Sequence, residues 1–259
     1  MAITLRSARE IELIRSAGAI VADVLSKLQK MAKPGVTTAQ LDAVAFEMTA
    51  QAGAQALFKG VRNPQTRTAF PAAICASINE QVVHGIPSND VVLKEGDILS
   101  LDFGVRLNGY CGDAAVTVGI ADISPQRRRL MDVTKQVLEL AIAACAPSVR
   151  WSTVAGKMQQ YAEAAGFSVV KDFVGHGIGT EMHEEPRVPN FVSSELLAND
   201  FVLERGMVLA VEPMINAGGE EVRTLKNGWT VVTRDSSCSA HFEHTIVIID
   251  EGCEVLTVK

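Results

Sequence analysis

Five side chains of the types that bind metal ions occur in an order that repeats along the chain. They are Asp102, Asp113, His176, Glu212 and Glu243. Asp102 and Glu212 lie 110 positions apart (212 − 102), and each follows a run of apolar residues typical of a buried strand. A carboxylate at the end of such a strand is costly unless a cation or a partner neutralises it. Two such acids at matched places therefore indicate a metal site shared by two related halves.

The dipeptide Asn108-Gly109 predicts how the first two acids are oriented. Asn-Gly tolerates the positive φ values of a type I′ turn, so we expect a two-residue hairpin loop in which Asp102 faces position 115. Because side chains alternate between the faces of a strand, Asp102 and Asp113 would project from one face, about 7 Å apart at the backbone. Glu243 precedes alternating apolar residues as Asp113 does, so it is the second-half counterpart of Asp113.

Carboxylates this close favour a dinuclear metal centre. The spacing suits one acid that bridges two metal ions and a second acid that chelates one of them. Four acids carry four negative charges, which two divalent cations would neutralise, with one imidazole in the ligand set. Oxygen-rich ligands with one histidine and no cysteine favour Mn²⁺, Fe²⁺ or Co²⁺ over structural zinc. Because two metal ions activate a water and polarise a carbonyl, hydrolysis is the predicted chemistry.

Each of these residues, taken singly, also has an ordinary structural explanation. An acid at a hairpin is usually a surface residue, and a histidine beside glycine is usually a loop residue, but the combination is much harder to explain in that way. His244 lies on the strand face opposite Glu243 and is predicted to be structural. Cys75 and Cys111 are predicted to pack rather than act as nucleophiles. The glycine-rich segment 175–179 lacks the G-x-G-x-x-G pattern, so nucleotide binding is not expected.

The composition limits the class of protein. The 259 residues are 47% apolar and 21% charged, which is typical of a soluble globular chain. A net charge of −6 disfavours nonspecific nucleic-acid binding. No segment approaches the roughly 20 apolar residues that span a bilayer, and no signal peptide is recognisable. Five cysteines without a C-x-x-C pair indicate free thiols in a reducing compartment, so we expect a cytoplasmic protein.

The helices that must position these residues also occur twice. Pro34 and Pro147 each separate two helical segments and lie 113 positions apart (147 − 34). Capping residues predict where the helices begin, and Gly53 and Gly166 are predicted to end the second helix of each pair. The predicted helix starts are Ser7, Thr37, Ser124 and Ser152.

Strands follow each pair of helices. The predicted strands are Ala73–Val83, Ile98–Leu107, Tyr110–Val118, Phe167–Val174, Met207–Val211, Thr230–Thr233 and His241–Ile249. The order helix, helix, strands, met twice, predicts an α+β fold with pseudo-twofold symmetry, in which helices cover a curved, mostly antiparallel sheet. We expect one catalytic domain, 1–259, with halves of about 1–120 and 121–259. Chance similarity of apolar segments is the alternative explanation.

Eight short segments between residues 77 and 245 form a recognisable pattern. They are Ser77–Glu80, His84–Pro87, Leu101–Gly104, Gly112–Asp113, Gly175–Gly179, His183–Pro186, Val211–Pro213 and Phe242–Thr245. The pattern resembles the type I methionine aminopeptidases, metallopeptidases of family M24 with the "pita-bread" fold. The resemblance implies hydrolytic removal of the initiator methionine from new polypeptides whose second residue is small.

The resemblance also implies a role for each site residue. The ligands of two divalent ions (cobalt, manganese, iron or zinc) would be Asp102, Asp113, His176, Glu212 and Glu243. Among them, Asp113 and Glu243 would bridge the ions, and Glu212 would also be the general base toward the attacking water. His183 would steady the scissile carbonyl as it becomes tetrahedral, and His84 would contact the substrate near the scissile amide.

A methionine side chain needs a snug apolar pocket. The resemblance places that pocket among Phe70, Cys75, Met182 and Trp229. The family often has an aromatic residue in place of Met182 and a tyrosine in place of Phe70, and the segment Arg62–Ala69 is longer than the usual loop. His241 stands where the family usually has glutamine. It is either a neutral replacement, which we favour, or an imidazole that changes the surroundings of a neighbouring ligand.

Three related functions are the alternatives. An Xaa-Pro aminopeptidase or prolidase would carry a large additional N-terminal domain, for which one helix pair leaves no room. A non-catalytic pita-bread binding module would lack several ligand residues. A type II enzyme would need a helical insert between Glu212 and Glu243, where the segment is too short. The expected partner is the N-terminal methionine of nascent polypeptides at the ribosome exit, and we expect a monomer with no nucleic-acid specificity and no membrane association.

Overall fold

Helices and strands are described for residues 3–63 and 66–258 of a computed structural model. The helices are α1 (Ala8–Met31), α2 (Thr38–Gln51), α3 (Pro125–Ala144), α4 (Trp151–Ala164) and α5 (Ser194–Ala198). The strands are β1 (Gln55–Ala56), β2 (Cys75–Ile78), β3 (Gln81–Val83), β4 (Ile98–Leu107), β5 (Tyr110–Gly119), β6 (Ser168–Val169), β7 (Gly175–Gly177), β8 (Glu184–Val188), β9 (Val208–Val211), β10 (Met214–Asn216), β11 (Val222–Thr224), β12 (Val231–Thr233), β13 (Ser239–His241), β14 (Glu243–Ile248) and β15 (Cys253–Val255).

Three of the four long helices begin at the predicted caps. Ser7 and Thr37 each form a capping box at the start of α1 and α2. The Ser124 side chain accepts a hydrogen bond from the backbone N–H of Arg127, and Pro125 occupies the first turn of α3. The local sequence therefore determines these helix starts.

The predicted start of α4 at Ser152 was wrong. The helix begins at Trp151, after Arg150, which makes no side-chain capping bond. Ser152 lies inside the first turn, and its hydroxyl donates to Asp200 Oδ2 at 2.7 Å. A distant carboxylate thus binds the side chain that was expected to cap the helix. Gly166 follows the helix with φ +82°, as predicted for a stop signal.

One large sheet joins the two halves of the chain. Its strand order is β1-β4-β5-β14-β9-β7-β8, with β2 paired to β4 and β15 paired to β14. Every strand pair described in this sheet is antiparallel. The strands β4 and β5 of the first half mirror β9 and β14 of the second half across the β5–β14 junction. This arrangement is the pseudo-twofold symmetry that the repeated order predicted.

Three predicted strands are broken or shortened. Ala73–Val83 divides into β2 and β3 at a turn in which Asn79 has φ +54°. Phe167–Val174 contains only the two-residue strand β6. His241–Ile249 is interrupted at Phe242, because β13 pairs with β10 in a separate small sheet whereas β14 joins the large sheet. A change of sheet within one apolar run is not visible in its composition.

The helices pack on the outer face of the large sheet. In the first half, Leu99, Leu101 and Phe103 of β4 are fully buried in a core with residues of α1 and α2. Since side chains alternate along the strand, Asp102 points to the opposite, inner face. In the second half, Leu209 of β9 and residues of α3 and α4 belong to an equivalent core. Over the described residues, we find no helix whose length and apolar content would allow it to cross a bilayer.

Candidate metal centre and active site

The β4–β5 hairpin has the register that the Asn-Gly turn predicted. Asn108 and Gly109 have φ values of +50° and +83°. Asp102 lies opposite Ala115, and Gly104 lies opposite Asp113. The side chains of Asp102 and Asp113 therefore share the inner face of the sheet, as expected from the alternation of side chains.

Three acids lie in one row across that face. Asp102 of β4 and Glu243 of β14 both pair with Ala115 of β5, so the side chains of Asp102 and Glu243 project from the same face as that of Ala115. Glu212 comes directly after the last paired residue of β9, next to the start of β14. The row joins residues of both halves across the β5–β14 junction.

The other two candidates, Asp113 and His176, lie in a second row, which is displaced from the first by two residues along each strand. His176 of β7 and Thr245 of β14 both pair with Ala210 of β9. On its other side, the Thr245 hydroxyl contacts the backbone of Asp113, accepting from its N–H at 3.1 Å and donating to its carbonyl at 2.7 Å. All five predicted ligands therefore lie on two neighbouring rows of one face. Thr245 had no assigned role in the sequence, although its position two residues after Glu243 would have indicated the shared face.

The glycine opposite Asp113 relieves a tight contact. A Cβ atom at Gly104 would lie 3.0 Å from Asp113 Oδ1 and 3.2 Å from Leu57 Cδ1, so both side chains would have to shift slightly. The missing side chain leaves space for the Asp113 carboxylate to lie over its cross-strand neighbour.

The donor atoms converge closely enough to share a cation. One ligand atom each from Asp113, His176 and Glu243 lie within 4.8 Å of one another. His176 Nδ1 lies 3.0 Å from the carbonyl oxygen of Gly177, which orients the ring and leaves Nε2 as the ligand atom, 3.5 Å from Glu212 Oε1. A histidine held in this way by a backbone carbonyl is typical of metal sites.

The four carboxyl groups cannot all be ionised without cations nearby. Burial raises the pKa of Asp102 to about 7. Burial, and then the charges of neighbouring carboxylates, raise the pKa values of Asp113, Glu212 and Glu243 well above the usual range. Asp113 Oδ1 and Glu243 Oε1 are buried without a hydrogen-bond partner among the described residues. These orphaned oxygens fit a set of cation ligands, since buried carboxylates otherwise require partners.

His176 is also suited to bind a cation. Burial, followed by the neighbouring His183, lowers the pKa of His176 to about 3. The ring is therefore neutral at pH 7, and its Nε2 lone pair is available to a cation. Four carboxylates and one neutral imidazole match the donors that divalent ions accept.

The metal-ligand face opens into a cavity of about 400 Å³. The four predicted pocket residues Phe70, Cys75, Met182 and Trp229 lie together in one apolar cluster beside it. The rings of Phe70 and Trp229 meet edge to face at 5.2 Å. Cys75 pairs directly with Asp102, which places the apolar cluster next to the acids. The structure also adds lining residues that the sequence did not indicate: Phe58, Val61, Arg62, Val83, Phe173, Val174 and Met214.

The two predicted catalytic histidines face the same cavity. The ring of His183 lies 4.4 Å from that of His176, edge to face. His84 has φ +57°, and its ring lies between Phe173 at 5.5 Å and Trp229 at 6.1 Å. Burial lowers the pKa of both: that of His84 to about 4, with a contribution from His183, and that of His183 to below its usual value. Both imidazoles are therefore neutral near pH 7.

His241 is fully inside the site. Its backbone N–H donates to Thr117 Oγ1 at 2.9 Å. Its Nε2 atom is buried without a hydrogen-bond partner in the described part of the chain and lies 3.9 Å from Glu212 Oε2. The imidazole thus lies beside a predicted ligand without being bonded to it.

The segment Arg62–Ala69 forms a hairpin at the cavity mouth, apart from Pro64 and Gln65, which lie outside the described residues. Arg62 and Ala69 form a β-bridge, and Asn63 Nδ2 donates to the Gly228 carbonyl at 2.6 Å. The hairpin therefore contacts the turn that carries the pocket residue Trp229.

The remaining candidates have structural roles. Cys75 and Cys111 are buried, and burial raises the pKa of both thiols, so neither forms a thiolate at neutral pH. His244 Nδ1 lies 2.9 Å from Thr257 Oγ1, outside the cavity. These positions agree with the packing and structural roles that the sequence predicted.

Comparison with known proteins agrees with this geometry. The model of "Metallopeptidase family M24" matches residues 12–250. The chain is 46% identical to a methionine aminopeptidase of Clostridium acetobutylicum over 256 residues, which are 99% of each chain. The crystal structure of methionine aminopeptidase from Thermotoga maritima matches with a TM-score of 0.94 and 39% identity over 100% of both chains.

A more distant structure shares the fold alone. A prolidase from Pyrococcus furiosus matches with a TM-score of 0.74 and 20% identity, over 98% of this chain and 65% of the prolidase. The α+β pita-bread fold predicted from the sequence is confirmed by these structures. The chain belongs to metallopeptidase family M24, in its methionine aminopeptidase group.

Proposed function

We propose that this chain hydrolyses the bond after an N-terminal methionine when the second residue is small. One observation carries the proposal: five metal-binding side chains lie on two rows of one sheet face, beside an apolar cluster in the same cavity. The acids suit cations and a free α-amino group, and the apolar cluster suits a thioether side chain. The family membership supports the same reaction.

We infer that two divalent ions, cobalt, manganese, iron or zinc, bind here. The residues that would hold them are Asp102, Asp113, His176, Glu212 and Glu243. The unpaired oxygens of Asp113 and Glu243 support this assignment. When bound, such ions lower the pKa of a water and polarise a carbonyl group.

The protein's own side chains would complete the chemistry. Glu212 would also accept the proton of the attacking water at its carboxylate, because it lies in the row of acids and lines the cavity. His183 would donate an N–H to the scissile carbonyl oxygen as that oxygen becomes negative. His84, whose ring makes edge-to-face contacts with Phe173 and Trp229, would contact the scissile amide. A neutral imidazole carries one N–H donor, which suits both histidines.

The residues that line the cavity would also select the substrate. Phe70, Cys75, Met182 and Trp229 would surround the methionine side chain, which is flexible and polarisable enough to fill an irregular apolar pocket. His84 would occupy the space beside the residue that follows the scissile bond, so a small second side chain would fit best. A bulky second side chain would have to displace the imidazole from between two aromatic rings.

We further propose one catalytic domain, 1–259, with halves of about 1–120 and 121–259, acting as a cytoplasmic monomer on nascent chains at the ribosome exit. The large sheet that crosses both halves supports a single domain. Sedimentation velocity tests the monomer, and co-sedimentation with translating ribosomes tests the encounter. A stable dimer in the first experiment would contradict the proposal.

The decisive experiment removes metal and restores it. The protein is treated with chelator, and single ions are added back while cleavage of Met-Ala-Ser, Met-Leu-Ser and an Xaa-Pro peptide is measured. We expect activity only after an ion is restored, with Met-Ala-Ser cleaved well above Met-Leu-Ser. Asp113→Asn should bind less metal and stay inactive at the same ion concentration. Preference for the Xaa-Pro peptide would reassign the chain to the proline-specific relatives of the family.

A further inference from the structure

Two of the proposed substrate contacts lie on a short turn with little regular structure. This segment, Gly179–Glu184, is called the 179–184 turn below and carries Met182 and His183. His183 is exposed and Met182 is only partly buried, so neither side chain is held by the core. Because catalytic side chains lose efficiency when they are displaced by as little as 1 Å, the turn needs another source of rigidity.

The carboxylate of Glu184 accepts hydrogen bonds from the backbone of the same turn. Its Oε1 atom accepts hydrogen bonds from the backbone N–H of Thr180 at 2.8 Å and of Glu181 at 3.0 Å. The Thr180 hydroxyl donates to the same oxygen at 3.2 Å. Burial disfavours the ionised form of Glu184, but the Glu181 amide and the charge of Arg6 outweigh it and hold its pKa below the usual range.

Arg6, from the segment before α1, holds that carboxylate from the other side. Its Nη2 donates to Glu184 Oε2, and its side chain is only 6% exposed. The guanidinium lies so close to Gly179 that a Cβ atom there would overlap it. The backbone N–H of Arg6 donates to the Gly206 carbonyl at 2.8 Å, so the arginine itself is anchored to the end of the large sheet next to β9.

We propose that Arg6 and Glu184 are positioning residues for the reaction, which act through the 179–184 turn to place the His183 imidazole and the Met182 side chain. The inference rests on the proposed function of these two residues. The charged pair joins positions 178 residues apart and lies outside the cavity lining, so neither residue touches the substrate. The same turn is also held by the bond from the Cys111 N–H to the Gly179 carbonyl and, at its exposed side, by the pair of Arg106 with Glu181.

Two substitutions test the two partners of this pair separately. Glu184→Gln keeps an oxygen that can accept from the two turn amides but removes the nearer of the two carboxylates that Arg6 contacts, leaving Glu10 at 3.4 Å. Arg6→Met removes the cation and keeps the length of the side chain. We expect each variant to lower kcat for Met-Ala-Ser by about 10- to 100-fold, with metal content unchanged. The double variant should lose less than the product of the two single losses, since the residues act through one contact.

A control uses another long-range pair of an arginine and a glutamate. Arg15 of α1 binds the distant Glu254 through two hydrogen bonds, 2.5 and 3.0 Å long, and both side chains are more exposed than those of Arg6 and Glu184. Neither residue lines the cavity. Arg15→Met should leave kcat and KM for Met-Ala-Ser close to those of the unmodified protein. Arg6→Lys, which keeps the charge but not the planar fork, should restore part of the activity lost in Arg6→Met.

Hydrogen exchange provides a reading that does not depend on turnover. The amides of Thr180 and Glu181 should exchange faster in Arg6→Met and Glu184→Gln than in the unmodified protein, whereas the amides of β14 should not change. Lower melting temperature with normal kcat per folded molecule would make the pair merely structural and would overturn the proposal. An unmodified protein that fails to cleave Met-Ala-Ser with any ion would instead refute the proposed function, and the positioning role with it.

Discussion

The hydroxyl of Thr245 is the contact on which the position of Asp113 depends most. The ladder between β5 and β14 ends at His244 opposite Ala114, so the next backbone rung is not formed. In its place, Thr245 Oγ1 accepts from the Asp113 N–H and donates to the Asp113 carbonyl. Thr245 is fully buried. One side-chain oxygen therefore satisfies both backbone groups of a proposed metal ligand.

Replacing Thr245 with valine preserves the shape and removes the hydroxyl. Two buried backbone groups of Asp113 then lack partners, and each unsatisfied group costs about 1–3 kcal/mol. The extra apolar contact of the new methyl group offsets up to about 0.8 kcal/mol of that loss. We expect Thr245→Val to lower the free energy of unfolding by about 1–5 kcal/mol. Because the strand must move to find water or a new partner, the Asp113 carboxylate should also move, and metal affinity should fall.

Urea unfolding and isothermal titration with Mn²⁺ measure the two effects. Thr245→Ser, which keeps the hydroxyl, should retain most of the metal affinity. Thr134→Val is the matched control: Thr134 is also fully buried, but its hydroxyl only adds a bond to the Leu130 carbonyl within α3. We expect that control to change stability by less than about 1 kcal/mol. If Thr245→Val were as stable as the control and bound Mn²⁺ normally, the hydroxyl would not be what holds Asp113.

Further predictions concern the histidines and the acids. His183→Ala should lower kcat by about 100-fold with little loss of bound metal, and equal loss of both, by turnover assay and metal analysis, would contradict its assigned role. His241→Gln should leave kcat/KM nearly unchanged, because Nε2 makes no hydrogen bond to lose; a fall of about 10-fold would show that the imidazole supports Glu212. Above about pH 7, where the histidines are neutral in the folded and unfolded states alike, the metal-free protein should lose stability as pH rises. Burial raises the pKa values of Asp113, Glu212 and Glu243, so the folded state holds protons that the unfolded state has released. Melting temperatures of chelator-treated protein should fall with pH above that point, and added Mn²⁺ should reverse the trend.

Local rules were sufficient where one short segment decides the geometry. The Asn108-Gly109 turn fixes the register of β4 and β5, and strand alternation then places Asp102 and Asp113 on one face. The capping boxes at Ser7 and Thr37 likewise involve residues only three positions apart. In each case the deciding interaction lies within a few residues, so its energy can be assessed without knowing the rest of the fold.

Local rules failed where a residue distant in the sequence makes a contact that replaces the one expected from the local pattern. Ser152 binds Asp200 instead of capping its helix, and the chain changes sheets at Phe242 within a continuous apolar run. The anchoring of the 179–184 turn by Arg6 is of the same kind, since nothing near Glu184 indicates its partner. These contacts depend on packing that brings together segments more than twenty residues apart, and periodicity carries no information about such pairs.

The symmetry of the chain explains why the site lies at the junction of its halves. Taken alone, the first half would supply only two of the proposed ligands, Asp102 and Asp113, and burial would favour their protonated forms. At the β5–β14 junction, Asp102 and Glu243 instead flank Ala115 from different halves, and Asp113 is joined to the second half by Thr245. A cation held by these acids would gain ligands from both halves at once and would resist their separation. Metal added to the chelator-treated protein should therefore stabilise the β5–β14 contact more than the outer strand β1.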